Sequence, residues 1–458
     1  MPVPECSAVS AGERDCSSVR TAEGGYPARV PLELALLLLF ALVVRVGVLF
    51  LLPGALADDP DGYRALARNL VAHGTLGEGD RPTAYRPPLY PLALVPSVAV
   101  GEPRATWAIG ALHVAMGLGT VALAWWIGRH CGLGRYAWVA GVLVACDPIL
   151  LNQSALVMTE TLAAMLVALA LACLGRLAEQ PGTLRAATAG AALGLCGLCR
   201  PELLLWAALC AAALWLYWHA MQEQSRARQE ADAPAHSLTV GVRFGLFGAR
   251  FWSTAAFVAA VAIVLLPWTI RNQIQFGRPI VATTHGGYTL LLANNPAFYD
   301  HLCKGEWGSI WDARELGPVW GGNARHADPV DELAADRRAY AEAWANIRRE
   351  PGRFAYSCAM RVGRFWAPAP RQGSPALRWT VGVWYLAVFF LAAVGAWRGW
   401  RGDFNHGIWL WGGLLAVSMT LVHAVYWSDP RMRGPLMIVV GFAAATAIAR
   451  WPGRPTKP

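Results

Sequence analysis

The residues best suited to chemistry are carboxylates and arginines placed in short links between long apolar runs. Asp58, Asp59, Asp61, Tyr63 and Arg86 share the first such link, and Glu160 sits in SALVMTETL. Arg200 and Glu202 lie in LCRPELLL, and Asp429, Arg431 and Arg433 in the last link. A carboxylate beside a tyrosine and several arginines suits a sugar acceptor and a phosphate leaving group. The carboxylate takes a proton from an acceptor hydroxyl, while the arginines offset charge building on the departing phosphate. Asp59 precedes Tyr63 by four residues, which would stack the two on one face if a helix began there. Charge at a membrane boundary is by default a sign of a site.

Each of these residues also has a plainer reading. Asp58 and Asp59 before Pro60 make a good helix cap, and Glu160 could serve a helix start at Thr159. Arg200, Arg431 and Arg433 could anchor helix ends at the interface. His113, His285, His301 and His423 show no metal-ligand spacing. Cys196 and Cys199 resemble half a zinc site, but no second pair accompanies them, so core packing is expected. Cys303 and Cys358 fall in one extramembrane stretch, where they could pair.

The elements that must position these residues are membrane helices. The chain has 458 residues, 55% hydrophobic and 15% charged, with 22 tryptophans. A soluble domain carries roughly a quarter charged residues, and here the apolar residues are bunched into runs. Ten spans are expected, near 32–53, 106–128, 136–152, 160–175, 185–199, 202–219, 251–270, 376–396, 408–426 and 434–450. The run 89–100, interrupted by prolines, reads as an interfacial or re-entrant helix. The net charge of +9 collects as arginines in alternate links, which argues for topology rather than nucleic-acid binding. With the N-terminus inside, those basic links are cytoplasmic, and every candidate site residue falls outside.

The expected organisation is a cytoplasmic segment (1–31), a transmembrane region (32–270) with its first outer loop at 54–105, an extracytoplasmic domain (271–375), C-terminal membrane helices (376–450) and a cytoplasmic tail (451–458). Within the outer domain, LAADRRAYAEAWANIRREPGRFAYSCAMRVGRFW has helical amphipathic spacing, broken near Pro351. No P-loop, dinucleotide fingerprint or nucleophile elbow occurs. A sugar donor would therefore be membrane-borne.

The stretch DPDGYRALARNL followed by RPPLYPLAL resembles the first outer loop of GT-C membrane glycosyltransferases. The resemblance is to the dolichyl-phosphate-mannose-protein mannosyltransferase-like and aminoarabinose transferase-like bacterial groups. It continues through LVMTETL, LCRPELLL, LPWTIRNQIQFGRPIVATTHGGYTLLLANNP, REPGRFAYSCAMRVGRFW and HAVYWSDPRMRGPL. Two departures stand out: Asp59-Pro60, with Asp61 beyond it, replaces the common Asp-Glu pair, and Met432 replaces a tyrosine between the last arginines.

The resemblance implies an all-α polytopic membrane fold of the GT-C kind, with about ten transmembrane helices and a small extracytoplasmic domain. It implies a multi-pass enzyme of the inner or plasma membrane, active on the extracytoplasmic face. This enzyme would move a sugar from a polyprenyl-phosphate donor to a lipid, glycan or protein acceptor. Asp59 maps onto the catalytic aspartate, with Asp58 and Glu160 as further catalytic candidates. Arg86, Arg271, Arg431 and Arg433 become candidates for the donor phosphate, and Asp61, Tyr63 and Arg200 for other substrate contacts. No cofactor is required, although a divalent ion is compatible with the pattern. The rival readings are a flippase or transporter of lipid-linked sugars, a non-catalytic scaffold on the same fold, and a polysaccharide polymerase or ligase. A transporter predicts charges within the spans and internal symmetry.

Overall fold

The computed structural model describes residues 29–52, 54–216, 244–304, 329–401 and 406–449. The N-terminal 28 residues, the link with Arg226 and Arg228, and the C-terminal tail lie outside the described residues.

Among the described residues, seven helices are able by length and composition to cross a bilayer. They comprise α1 (Arg29–Leu51), α4 (Arg104–His130), α7 (Glu160–Glu179), α10 (Phe244–Phe276), α15 (Pro375–Arg401), α16 (His406–Val425) and the last, Pro430–Ile448. In the last, a 3-10 turn (Pro430–Leu436) leads into α17 (Met437–Ile448). An eighth span is bent by 56°, where Gly134–Ala145, including α5 (Ala137–Ala145), meets α6 (Pro148–Ser154). The shorter apolar helices α8 (Thr183–Cys199) and α9 (Leu203–Leu216) occupy the places of the fifth and sixth expected spans. The helix over 89–98, α3 (Leu89–Val98), has 10 residues. At 1.5 Å per residue it reaches only about half the hydrocarbon thickness.

Small residues let these helices approach closely, as packing inside a membrane favours. A Cβ on Gly190 of α8 would lie 2.2 Å from the carbonyl oxygen of Phe257 on α10. Between α15 and α17, a Cβ on Gly395 would lie 1.8 Å from the carbonyl oxygen of Ala443. Either helix pair must separate to admit a methyl group.

Asp147 and His113, two buried polar groups of the bundle, both have partners. Tyr385 on α15 donates to Asp147, with its hydroxyl 3.0 Å from Oδ1 and 3.1 Å from Oδ2. Asp147 itself caps α6 through the Leu150 N–H, which explains how the bent span tolerates its break. His113 Nδ1 lies 3.0 Å from the Ser154 carbonyl, so that nitrogen carries the proton. Nε2 then accepts from the Tyr90 hydroxyl at 2.8 Å.

The extramembrane parts cover one end of the bundle. In the first loop, α2 (Tyr63–His73) is followed by a two-stranded hairpin, β1 (Gly77–Glu78) and β2 (Arg81–Pro82), with Gly77 opposite Pro82. Asn69 holds that hairpin by bonds to Thr75 O, Gly79 O and Gly79 N. After α10 come α11 (Gly286–Ala293), α12 (Pro296–Lys304), α13 (Pro329–Arg349) and α14 (Pro351–Phe365). The amphipathic stretch therefore forms two helices that part at Pro351, where the ring cannot continue the preceding helix. Cys303 and Cys358 are both free thiols, and the Arg361 guanidinium lies against Cys358 Sγ at 3.4 Å. Cys196 and Cys199 are buried core residues.

Glu332 of α13 ties the outer helices to the first loop. Its carboxylate accepts from Thr83 Oγ1 at 2.7 Å, from the Ala84 N–H at 2.9 Å and from Thr284 Oγ1. Burial pushes this carboxyl above the usual glutamate value despite the three donors. Removing it orphans a buried N–H, so Glu332→Ala should loosen the local structure by about 2–4 kcal/mol. Hydrogen exchange across residues 77–86 should then accelerate, and unchanged exchange there would show that the tie is dispensable.

Candidate active site at the outer end of the bundle

Helix ends and outer segments converge on a cavity of about 550 Å³. Its wall takes Asp61, Tyr63, Tyr85 and Arg86 from the first loop, and Thr159 and Glu160 from the start of α7. Arg200 and Glu202 come from the turn between α8 and α9, and Arg431 and Met432 from the last link. His285, Tyr288 and Tyr340 close it from the outer domain, with His423, Tyr426 and Trp427 at the end of α16. Segments hundreds of residues apart in sequence thus supply one surface.

Local geometry sets how the first loop presents its carboxylates. Gly62 takes φ +76°, a left-handed turn that costs glycine little, and α2 begins at Tyr63. Asp59 therefore lies before the helix, so the expected stacking of Asp59 and Tyr63 on one helical face does not occur. Its Oδ2 accepts the Ala65 N–H at 2.9 Å, as a cap does, while its Oδ1 is buried and has no hydrogen-bond partner. Asp59 does not line the cavity, and Asp58 is exposed. Asp61 does line it, and its Oδ1 lies 2.8 Å from an Arg86 Nη2. Arg86 Nε also donates to the Asp61 carbonyl at 3.0 Å. The same guanidinium lies 5.5 Å from the Tyr63 ring centre and 5.4 Å from that of Tyr85. Tyr63 rests edge-on against Tyr90 at 5.2 Å, and burial raises its phenol above the ordinary value.

Across the cavity, Glu160 is 2% exposed at the first turn of α7, where the helix dipole favours negative charge. Its Oε1 lies 3.2 Å from Arg200 Nη1 and 3.8 Å from Arg431 Nε, and its Oε2 has no partner. Arg200 also pairs with Glu202 through Nε. Burial works to raise the Glu202 carboxyl, but Arg200 and His423 prevail and hold it below the usual value. Arg431 Nη1 touches only the Met158 sulfur, a weak acceptor. Its Nε lies between two carboxylates, 3.8 Å from Glu160 Oε1 and 3.9 Å from Asp429 Oδ1.

Two expected phosphate ligands stand elsewhere. Arg271 reaches the first loop instead, donating to Thr83 O and Leu76 O, both at 2.9 Å. Arg433 is 1% exposed and donates to Phe365 O at 2.7 Å and Ala367 O at 2.6 Å, capping the end of α14. Its guanidinium packs 4.5 Å over the Tyr385 ring. The 3-10 turn directs Arg431 to the cavity and Arg433 into the core. Among the described residues, no three His, Cys, Asp or Glu side chains converge as metal ligands. The carboxylates at the cavity face guanidinium groups instead.

Sequence reasoning passed over Tyr85, Tyr288, Tyr340, Tyr426 and Trp427, and read His285 and His423 as structural. Their signal was weak, because aromatic residues are common at every interface of this chain.

Residues 94–277 match the family described as dolichyl-phosphate-mannose-protein mannosyltransferase. No curated protein matches the chain in sequence. Among solved structures, the archaeal oligosaccharyltransferase AglB from Archaeoglobus fulgidus, in complex with an inhibitory peptide and a dolichol-phosphate, is similar with a TM-score of 0.53. Identity is 15%, and the match covers 92% of this chain and 50% of that one, so the chain spans half the length of that protein. ArnT from Cupriavidus metallidurans, bound to undecaprenyl phosphate, gives a TM-score of 0.40 at 12% identity, covering 93% of this chain and 79% of that one. The fold is thus similar to that of a polytopic membrane protein, and the family match covers residues 94–277.

Proposed function

We propose that the protein transfers a sugar from a polyprenyl-phosphate donor to an acceptor hydroxyl on the extracytoplasmic side of its membrane. One observation carries this reading. A first-loop carboxylate, Asp61, and a guanidinium, Arg431, line the same cavity at the ends of membrane helices. The extracytoplasmic side follows from the basic links, which lie at the opposite ends of those helices.

Asp61 takes the proton from the acceptor hydroxyl, and the freed oxygen pair attacks the anomeric carbon of the donor sugar. The bond from that carbon to the phosphate oxygen breaks, and its electrons leave with polyprenyl phosphate. Arg431 faces the charge that gathers there, and Arg200 holds Glu160 and Glu202 in place around it. Asp61 then returns its proton to solvent. Arg86 holds Asp61 in place between turnovers through its contacts to the Asp61 carboxylate and carbonyl.

A specific observation favours a second reading, in which Asp59 is the base. Its buried Oδ1 has no partner, and it occupies the place of the catalytic aspartate implied by the resemblance. It requires the turn at 58–62 to rotate so that this oxygen reaches the cavity.

The test is release of polyprenyl phosphate from a synthetic polyprenyl-phosphate hexose by purified protein in detergent, with a membrane acceptor fraction present. Wild type should release it, and Arg431→Met should slow release by about 100-fold. Equal release by Arg431→Met would remove the arginine from the reaction, and no release by wild type with mannose, glucose or aminoarabinose donors would turn the reading toward a transporter.

A further inference from the structure

A second cavity, of about 530 Å³, meets the first at the Asp61–Arg86 pair. The two cavities share three wall residues, Asp61, Tyr85 and Arg86. We propose that this second cavity is the acceptor site, and that the acceptor is a hydroxyl of a water-borne glycan rather than of a lipid embedded in the bilayer. This rests on the transferase reading above.

Displacement at the anomeric carbon requires the incoming oxygen, that carbon and the departing phosphate oxygen to lie roughly in line. Acceptor and phosphate must therefore approach from opposite sides, and the base must touch the acceptor. Arg200 and Arg431, the cations suited to a phosphate on its lipid, belong to the first cavity alone. That cavity also takes Glu160 and Val422 from membrane helices. The second cavity is walled entirely by residues between 61 and 86 together with Glu332, none of them in a candidate span. An acceptor held there sits in the aqueous layer, with Asp61 between it and the phosphate side.

The wall chemistry matches a sugar. Arg81, His73 and Glu78 offer hydrogen-bonding groups, while Ala65, Ala72 and the Tyr85 ring offer apolar surface. A hexose presents hydroxyls at its rim and carbon–hydrogen faces on its ring, so it uses both. A peptide would be recognised more naturally along a free strand edge. Here each strand has only two residues, too short an edge to pair an extended peptide.

Ala72 and Ala65 are exposed residues of α2 with no part in the proton or phosphate chemistry. Ala72→Trp and Ala65→Phe would narrow the second cavity while leaving the first open, and surface changes of this kind rarely unfold a protein. The experiment offers the synthetic polyprenyl-phosphate hexose with three separate probes: a pool of soluble oligosaccharides, a serine- and threonine-rich peptide, and a glycolipid in vesicles. Wild type should glycosylate the oligosaccharides. Ala72→Trp should raise their KM by about 10-fold or more, while slow release of polyprenyl phosphate to water alone stays unchanged. Oligosaccharide KM unaffected by both variants, or transfer only to the peptide or only to the glycolipid, would overturn the proposal. Absence of any polyprenyl phosphate release by wild type would instead mark failure of the transferase reading itself.

Discussion

Asp61→Asn should lower kcat for polyprenyl phosphate release by about 100-fold or more, because the amide takes no proton from the acceptor. The fold should persist, since an amide oxygen still accepts from Arg86 across the 2.8 Å contact. Asp59→Asn should retain turnover within about 3-fold, because its side-chain oxygen can still accept the Ala65 N–H. The pair of variants separates the two readings of the first loop. A collapse of kcat in Asp59→Asn, with Asp61→Asn still active, would assign the proton to the buried oxygen of Asp59. Thermal unfolding of both variants in detergent distinguishes lost chemistry from lost structure.

Arg200→Met should be the most destabilising single change at the site. Arg200 pairs with Glu160 and Glu202, and all three are deeply placed, with side chains 9%, 3% and 16% exposed. Breaking a buried ion pair by removing one partner typically costs about 3–5 kcal/mol, because the remaining charge is left uncompensated. A large fall in midpoint temperature is expected, together with loss of donor turnover. Arg200→Lys should recover part of the stability, since a point charge does not reproduce the guanidinium fork that reaches two carboxylates. The triple variant Arg200→Met, Glu160→Gln, Glu202→Gln should recover more of it without recovering activity. If Arg200→Met unfolds at the wild-type temperature, the cluster is solvated rather than buried.

Much of this arrangement was legible in the sequence, for reasons particular to membranes. Apolar runs locate helices such as Arg104–His130 and Glu160–Glu179 because the bilayer imposes length and composition together. Alternating basic links put Asp61, Glu160, Arg200 and Arg431 at one end, and the cavity does bring these four together. Side-chain direction within a turn was not legible. Asp59 and Asp61 differ by two positions, yet the left-handed Gly62 turn presents one to the cavity and leaves the other capping a helix. Arg431 and Arg433 likewise part company within one 3-10 turn. Arg271 looked free in a list of cations, but carbonyls of a distant loop receive its donors. Asp147 passed unremarked as a charge, since a lone carboxylate in an apolar run shows its partner, Tyr385, only after the helices pack.

The contact between Asp147 and Tyr385 joins positions 238 residues apart. This separation bears on how the protein is made. When the ribosome has finished the bent helix pair, Tyr385 on α15, the partner of its Asp147 carboxylate, does not yet exist. A carboxylate at a break in an apolar span is costly when only its local cap to the Leu150 N–H satisfies it, so the early helices remain an unfinished assembly throughout synthesis. Only when Tyr385 arrives does that position gain its permanent neighbour. The C-terminal third therefore completes the N-terminal half, and a prematurely terminated chain would be left with its polar interior open and exposed to quality control.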